Sequence, residues 1–146
     1  MTSGADARAL FANSIISGNV ATNSGDEFNR FYGGGFVSSG YNLLGDSSSS
    51  NAAAFVGFIP DLGGTDIIAT TDGTLPTALT SILNTTLSDN GGPTKTHALV
   101  VDSPAIDAGL ACSETDQRGI LRSDGKCDIG SVEFSKAPLI FTDSFE

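Results

Sequence analysis

Few residues in this chain of 146 can do chemistry, and they gather late. His97 is the single histidine, and Cys112 and Cys127 are the only cysteines. A Ser-His-Asp triad would have to use His97, yet no Gly-x-Ser-x-Gly elbow surrounds any serine. In Thr96-His97-Ala98-Leu99 the imidazole reads most simply as a satisfied, half-buried strand residue. Zinc is disfavoured, because it generally wants more cysteine and histidine than this chain holds. The two cysteines sit in a loop-rich stretch of secreted character. A disulfide there would stabilise by roughly 3 kcal/mol in the chain-entropy picture; two unrelated thiols are the alternative.

Carboxylates are the other chemical resource, with 17 Asp and Glu against 7 Lys and Arg and a formal charge of -10. That balance excludes a nucleic-acid binder, which needs a basic surface to displace phosphate counterions. It also disfavours binding to anionic lipid headgroups. Paired acids could serve a polysaccharide hydrolase, and a base beside a bound cation could serve a lyase. Only Arg8 and Arg30 precede Lys95, however, and basic residues do not cluster with acids. Asp124, Asp128 and Glu133 could offer oxygens to calcium, but their spacing fits no loop consensus. We therefore expect no cofactor, with Ca2+ as the one to check. Arg118 is expected in a bidentate pair with Asp107 or Asp128; the alternative is a solvated face. Asp107, before Ala108-Gly109, is placed to accept backbone N–H groups in an Asx-type turn. In Asn90-Gly91-Gly92-Pro93, glycine supplies positive φ and proline fixes φ in the next turn. Phe28, Phe31 and Tyr32 either form a sugar-stacking platform or fold back on the protein.

The elements that must hold these residues read as short strands and turns. Gly, Ser, Thr and Asn supply 58 of the 146 residues, so helical bundles are disfavoured. Leu10 to Ile16 carries aromatic and β-branched residues and ends in Ser17-Gly18-Asn19. Gly40 to Asp46 has the same design, and aligning Ile15-Ile16 with Leu43-Leu44 gives a 28-residue spacing, a solenoid-like period. Further strands are expected over Ala54–Ile59, Asp66–Ala69, His97–Val101, Ala105–Asp107, Asp128–Phe134 and Leu139–Thr142. Ser47 to Asn51 reads as flexible low complexity. Leu79, Ile82 and Leu83, after Pro76, have the spacing of one short helix. No stretch reaches the roughly 18 to 20 apolar residues of a membrane span, and the start lacks signal-peptide character.

Four strings from Asp89 onward are specific together: Asp89-Asn90-Gly91-Gly92-Pro93-Thr94-Lys95-Thr96-His97-Ala98-Leu99, Ser103-Pro104-Ala105-Ile106-Asp107-Ala108-Gly109, Thr115-Asp116-Gln117-Arg118-Gly119 and Cys127-Asp128-Ile129-Gly130-Ser131-Val132-Glu133. In this order and spacing they resemble the choice-of-anchor Q domain, the C-terminal end of right-handed parallel β-helix proteins on bacterial surfaces. Ser131-Val132 departs from the family's Ala-aromatic pair, and Val100-Val101-Asp102 replaces its Leu-Pro-Gly.

The resemblance implies an all-β right-handed parallel β-helix of few coils with an irregular C-terminal cap. Residues 1–86 would be coils with inserted loops, 87–134 the cap, and 135–146 a tail. Asn90, Gly91, Gly92, Pro93, Asp107, Gly109, Asp116, Arg118, Asp128 and Gly130 would then shape the cap and perform no chemistry. The expected function is a non-enzymatic structural or adhesive module, extracellular or on a bacterial cell surface such as the outer membrane. Its partners would be surface glycans or other surface proteins. A polysaccharide-acting enzyme fragment and a carbohydrate-binding module are the alternatives. On this reading the chain is the end of a longer secreted protein.

Overall fold

Three pairs of adjacent apolar residues, Ile15-Ile16, Leu43-Leu44 and Ile67-Ile68, organise the molecule. In extended backbone consecutive side chains leave opposite faces, so a strand with two apolar neighbours must be covered on both sides. The computed structural model describes residues 8–22, 25–29, 35–58, 64–122 and 125–135. In chain order its elements are β1 (Arg8–Phe11), β2 (Ile15–Ile16), β3 (Phe28–Asn29), β4 (Gly35–Ser38), β5 (Leu43–Leu44), α1 (Asn51–Ala54), β6 (Phe55–Val56), β7 (Ile67–Ile68) and α2 (Leu79–Ile82). Among the described residues these named strands pair in parallel: β1 with β4, β3 with β6, and β2, β5, β7 in one three-stranded sheet. Ile15 stands opposite Leu43, and Leu43 opposite Ile67.

That register sorts the apolar pairs into two cores. Leu44 and Ile68 pack with Phe28, Phe55 and Phe58, with Ile16, Phe11 and Phe36 against them. On the other face Leu43 joins Ala69, Ile82, Leu99, Ala105 and Ile129, with Ile15 and Ile67 alongside. Leu43 and Leu44 are both 0 % exposed, each worth about 1.5–3 kcal/mol of burial. The corners before the central strands use left-handed backbone, Asn13 at φ 49° and Tyr41 at φ 58°. A buried polar stack holds them together. Asn42 Oδ1 accepts from the Ser14 amide at 3.0 Å, and Asn42 Nδ2 donates to Asp66 Oδ1 at 3.0 Å. Asp66 Oδ1 also accepts the Asn42 amide at 3.0 Å.

This architecture corrects the expected right-handed parallel β-helix. Strands of two to four residues form three separate sheets of two or three strands, and no closed solenoid is seen among the described residues. The C-terminal segment covers a face of the sheet. Its Leu99, Ala105 and Ile129 pack on the second face of the β2-β5-β7 sheet, because the Leu43 side of that sheet needs a cover.

Local expectations were revised too. Asn51–Ala54 is a helical turn with Ser50 as its N-cap, its hydroxyl accepting the Ala53 amide at 3.3 Å. The strand expected from Ala54 shrinks to β6. The helix at Leu79 forms and buries Ile82. Past it, the expected strands are replaced by isolated antiparallel bridges, Leu83 to Leu99, Ser88 to Thr96, Gly109 to Cys127 and Thr115 to Leu121. Leu139–Thr142 lies outside the described residues, as does the tail from residue 136. No helix among the described residues is long and apolar enough to cross a membrane.

Candidate functional site

Short bridges cannot by themselves hold a segment that is mostly turn, and the polar side chains take over that task. Ser88 and Thr96 exchange backbone hydrogen bonds of 3.1 and 2.9 Å, closing a loop over Asp89–Lys95. Asn90 Nδ2 spans it, donating to the Thr96 carbonyl at 2.8 Å and hydroxyl at 3.0 Å. The Asp89 carboxylate accepts the Gly91 amide at 3.0 Å. Gly92 sits at φ +82°, and a Cβ there would come 2.7 Å from the Arg118 Cα. Glycine is thus required twice, for backbone conformation and for close approach.

Asp116 is the hub. Its Oδ1 accepts the amides of Arg118 at 2.8 Å and Ile120 at 3.1 Å. Its Oδ2 accepts Arg118 Nε at 2.8 Å, Arg118 Nη2 at 2.7 Å and the Glu133 amide at 2.9 Å. The Asp116 side chain is 0 % exposed and that of Arg118 only 9 %. Burial pushes this carboxyl up, but the Glu133 amide, the Arg118 guanidinium and the Arg118 and Ile120 amides outweigh it and hold the group below the ordinary carboxylate range. Arg118 further donates to the carbonyls of Asn90 and Glu133. One ion pair therefore ties three loops together.

A second arginine, Arg122, grips the following turn. It donates to the carbonyls of Asp128 at 3.2 Å and Gly130 at 3.1 Å, and pairs with the Glu133 carboxylate. Burial pushes the Glu133 carboxyl up, and neighbouring Asp128 adds to this against the pull of Arg122. Asp128, itself buried, accepts the Asp107 amide at 2.8 Å and the Phe134 amide. The Cys112–Cys127 disulfide closes this region beside the Gly109–Cys127 bridge.

Several expectations are corrected by this geometry. Arg118 pairs with Asp116, two residues away, and not with Asp107 or Asp128, because the turn folds its guanidinium back over Asp116. Asp107 adopts left-handed backbone at φ 57° and turns its carboxylate toward Lys126 at 3.5 Å. The Asx-type acceptance expected of it falls to Asp89 and Asp116. His97 is exposed, with Nδ1 2.8 Å from the Asn84 carbonyl. Phe28 is not a surface platform. Its ring lies 4.4 Å from Phe58, 5.0 Å from Phe36 and 5.2 Å from Phe11. Phe31 and Tyr32 lie outside the described residues.

Gly109 and Gly130 are crowded, a Cβ meeting Cys127 Sγ and Ile15 Cδ1 at 3.0 Å respectively, while Gly91 at φ +91° faces open space. Pro93 is exposed in the loop that Asn90 spans. Arg122 and Asn42 were missed by sequence reading. Arg122 stands outside the four strings, and a buried Asn in a turn-rich chain looks like any other turn residue. Among the described residues no group of three or more His, Cys, Asp or Glu could hold a metal ion; Asp124 lies outside them.

Compared with protein-family models, curated proteins and solved structures, the chain matches none.

Proposed function

We propose that this chain is a non-enzymatic structural or adhesive module of a secreted or surface-anchored bacterial protein, with a choice-of-anchor Q-like segment over residues 87–134. One observation carries the reading. The charged groups most able to do chemistry, Asp116, Arg118, Arg122 and Glu133, are turned inward and bonded to backbone and to each other. Buried networks of this kind constrain geometry, and a segment with almost no regular structure needs such constraint. The disulfide is consistent with an oxidising, extracellular setting.

Purified protein incubated with pectin, alginate and related acidic polysaccharides, with and without calcium, tests the proposal. We expect no rise in unsaturated products or reducing ends above a heat-denatured control. Sustained turnover that is lost on unfolding would overturn the reading in favour of a polysaccharide-acting enzyme.

A further inference from the structure

Among the described residues, a cleft lies where the corner before β2 meets the C-terminal segment. It encloses about 630 Å³ between Asn13–Ser17, the Leu83–Leu87 stretch, Lys95–Leu99 and Ile129–Val132. That volume is in the range of small-molecule sites. Ile15, Leu83, Leu99 and Ile129 supply apolar wall, while Lys95, His97 and Gln117 supply polar groups.

Charge separates this cleft from the rest of the surface. The chain carries 17 acids and 7 bases, yet no residue lining the cleft is acidic and two are Lys95 and His97. Arg118, Arg122 and Lys126 each face a carboxylate; Lys95 has no such partner among the described residues. His97 Nδ1 meets the Asn84 carbonyl, which can only accept, so Nδ1 is spent as a donor there and Nε2 is the ring nitrogen left for a ligand. Gln117 Nε2 donates to the Thr94 hydroxyl at 2.7 Å, and its oxygen has no hydrogen-bond partner among the described residues. The Ser17 hydroxyl, also in the wall, is shielded from solvent and has no hydrogen-bond partner among the described residues.

From this we infer that the cleft binds an organic carboxylate attached to an apolar body. Lys95 takes the carboxylate, the aliphatic wall takes the body, and the Gln117 side-chain oxygen takes any N–H or O–H the ligand presents. The net charge of the protein does not forbid this. Charges more than about 8–10 Å away are largely screened at physiological salt, and of the acids that flank lining residues Asp116 and Glu133 are paired with Arg118 and Arg122. A fatty acid and the free C-terminus of an apolar peptide share this chemistry.

Amide NMR titration of the disulfide-intact protein distinguishes the sources and tests the site. The probes are octanoate against octanol, and N-acetyl-Ala-Leu-Val as free acid against its amide. The inference expects at least one acid to give saturable shifts at Ser14–Ser17, Thr96–Leu99 and Ile129–Val132. The neutral counterpart should bind at least about threefold to tenfold more weakly, the range expected for losing one charge-assisted contact. Lys95→Met should lose the same factor and Lys95→Arg should retain affinity; Lys95 is exposed, so both variants are expected to fold. Absence of saturable shifts with both acids, equal binding of the neutral counterparts, or an unchanged affinity in Lys95→Met would each overturn the inference.

Discussion

Replacing Asp116 with Ala removes the acceptor for five hydrogen bonds at once, three from backbone amides and two from Arg118. The carboxylate is fully buried and the guanidinium nearly so, so solvent cannot replace what is lost. Breaking a buried pair by removing one partner costs about 3–5 kcal/mol, largely from the stranded charge. At about 2–4 °C per kcal/mol for a chain of this size, the melting temperature should fall by roughly 6–20 °C. Urea unfolding followed by circular dichroism, with the disulfide intact, gives the free energy directly. Adding Arg118→Met to Asp116→Ala should recover part of the loss, because no charge is then left unpaired.

The pH dependence carries a definite sign. Asp116 has a folded pKa below its unfolded value near about 4, so it contributes stability above that value and loses it as pH falls through the folded pKa. The gap between wild type and Asp116→Asn should be full at neutral pH and narrow on acidification below about pH 4. A loss under about 1 kcal/mol in Asp116→Ala, or a gap that widens in acid, would refute the reasoning.

Three further outcomes are expected. Reducing Cys112–Cys127, which spans 15 residues, should cost about 3 kcal/mol, read as a drop in melting temperature on adding dithiothreitol; no change would mean that the ion pairs alone hold the segment. Gly92→Ala should destabilise by at least about 1 kcal/mol more than Gly91→Ala, because both positions have positive φ but only Gly92 meets a backbone atom; equal losses in chemical denaturation would count against that contact. Phe28→Ala should cost about 3–5 kcal/mol as a core deletion; a variant of unchanged stability that loses glycan-array binding would instead place Phe28 at the surface.

Some of this was legible in the residues and some was not. The alignment of Ile15-Ile16 with Leu43-Leu44 is found as a parallel pair in register, since apolar pairs flanked by turn residues leave few other ways to bury both faces. Glycine at position 92 was legible for the same kind of reason, a local backbone demand. The partner of Arg118 was not. Asp107, Asp116 and Asp128 are equivalent as residue types, and only the course of the chain brings one of them under the guanidinium. For Phe28 both a surface platform and a fold-back were open, and only Phe11, Phe36 and Phe58, arriving from other segments, select the fold-back.

The sequence on its own determined short strands, abundant turns and an acidic balance of charge, because each depends on residue type or near neighbours, and it left the pairing of the two cysteines open. Tertiary structure decided that three small parallel sheets replace a continuous solenoid, and that the C-terminal segment lies on a sheet face. It also decided which carboxylate each arginine meets. Those outcomes rest on contacts between residues distant along the chain, such as Ile15 with Gly130 and Leu43 with Ile129, and local pattern does not encode the path that brings them together.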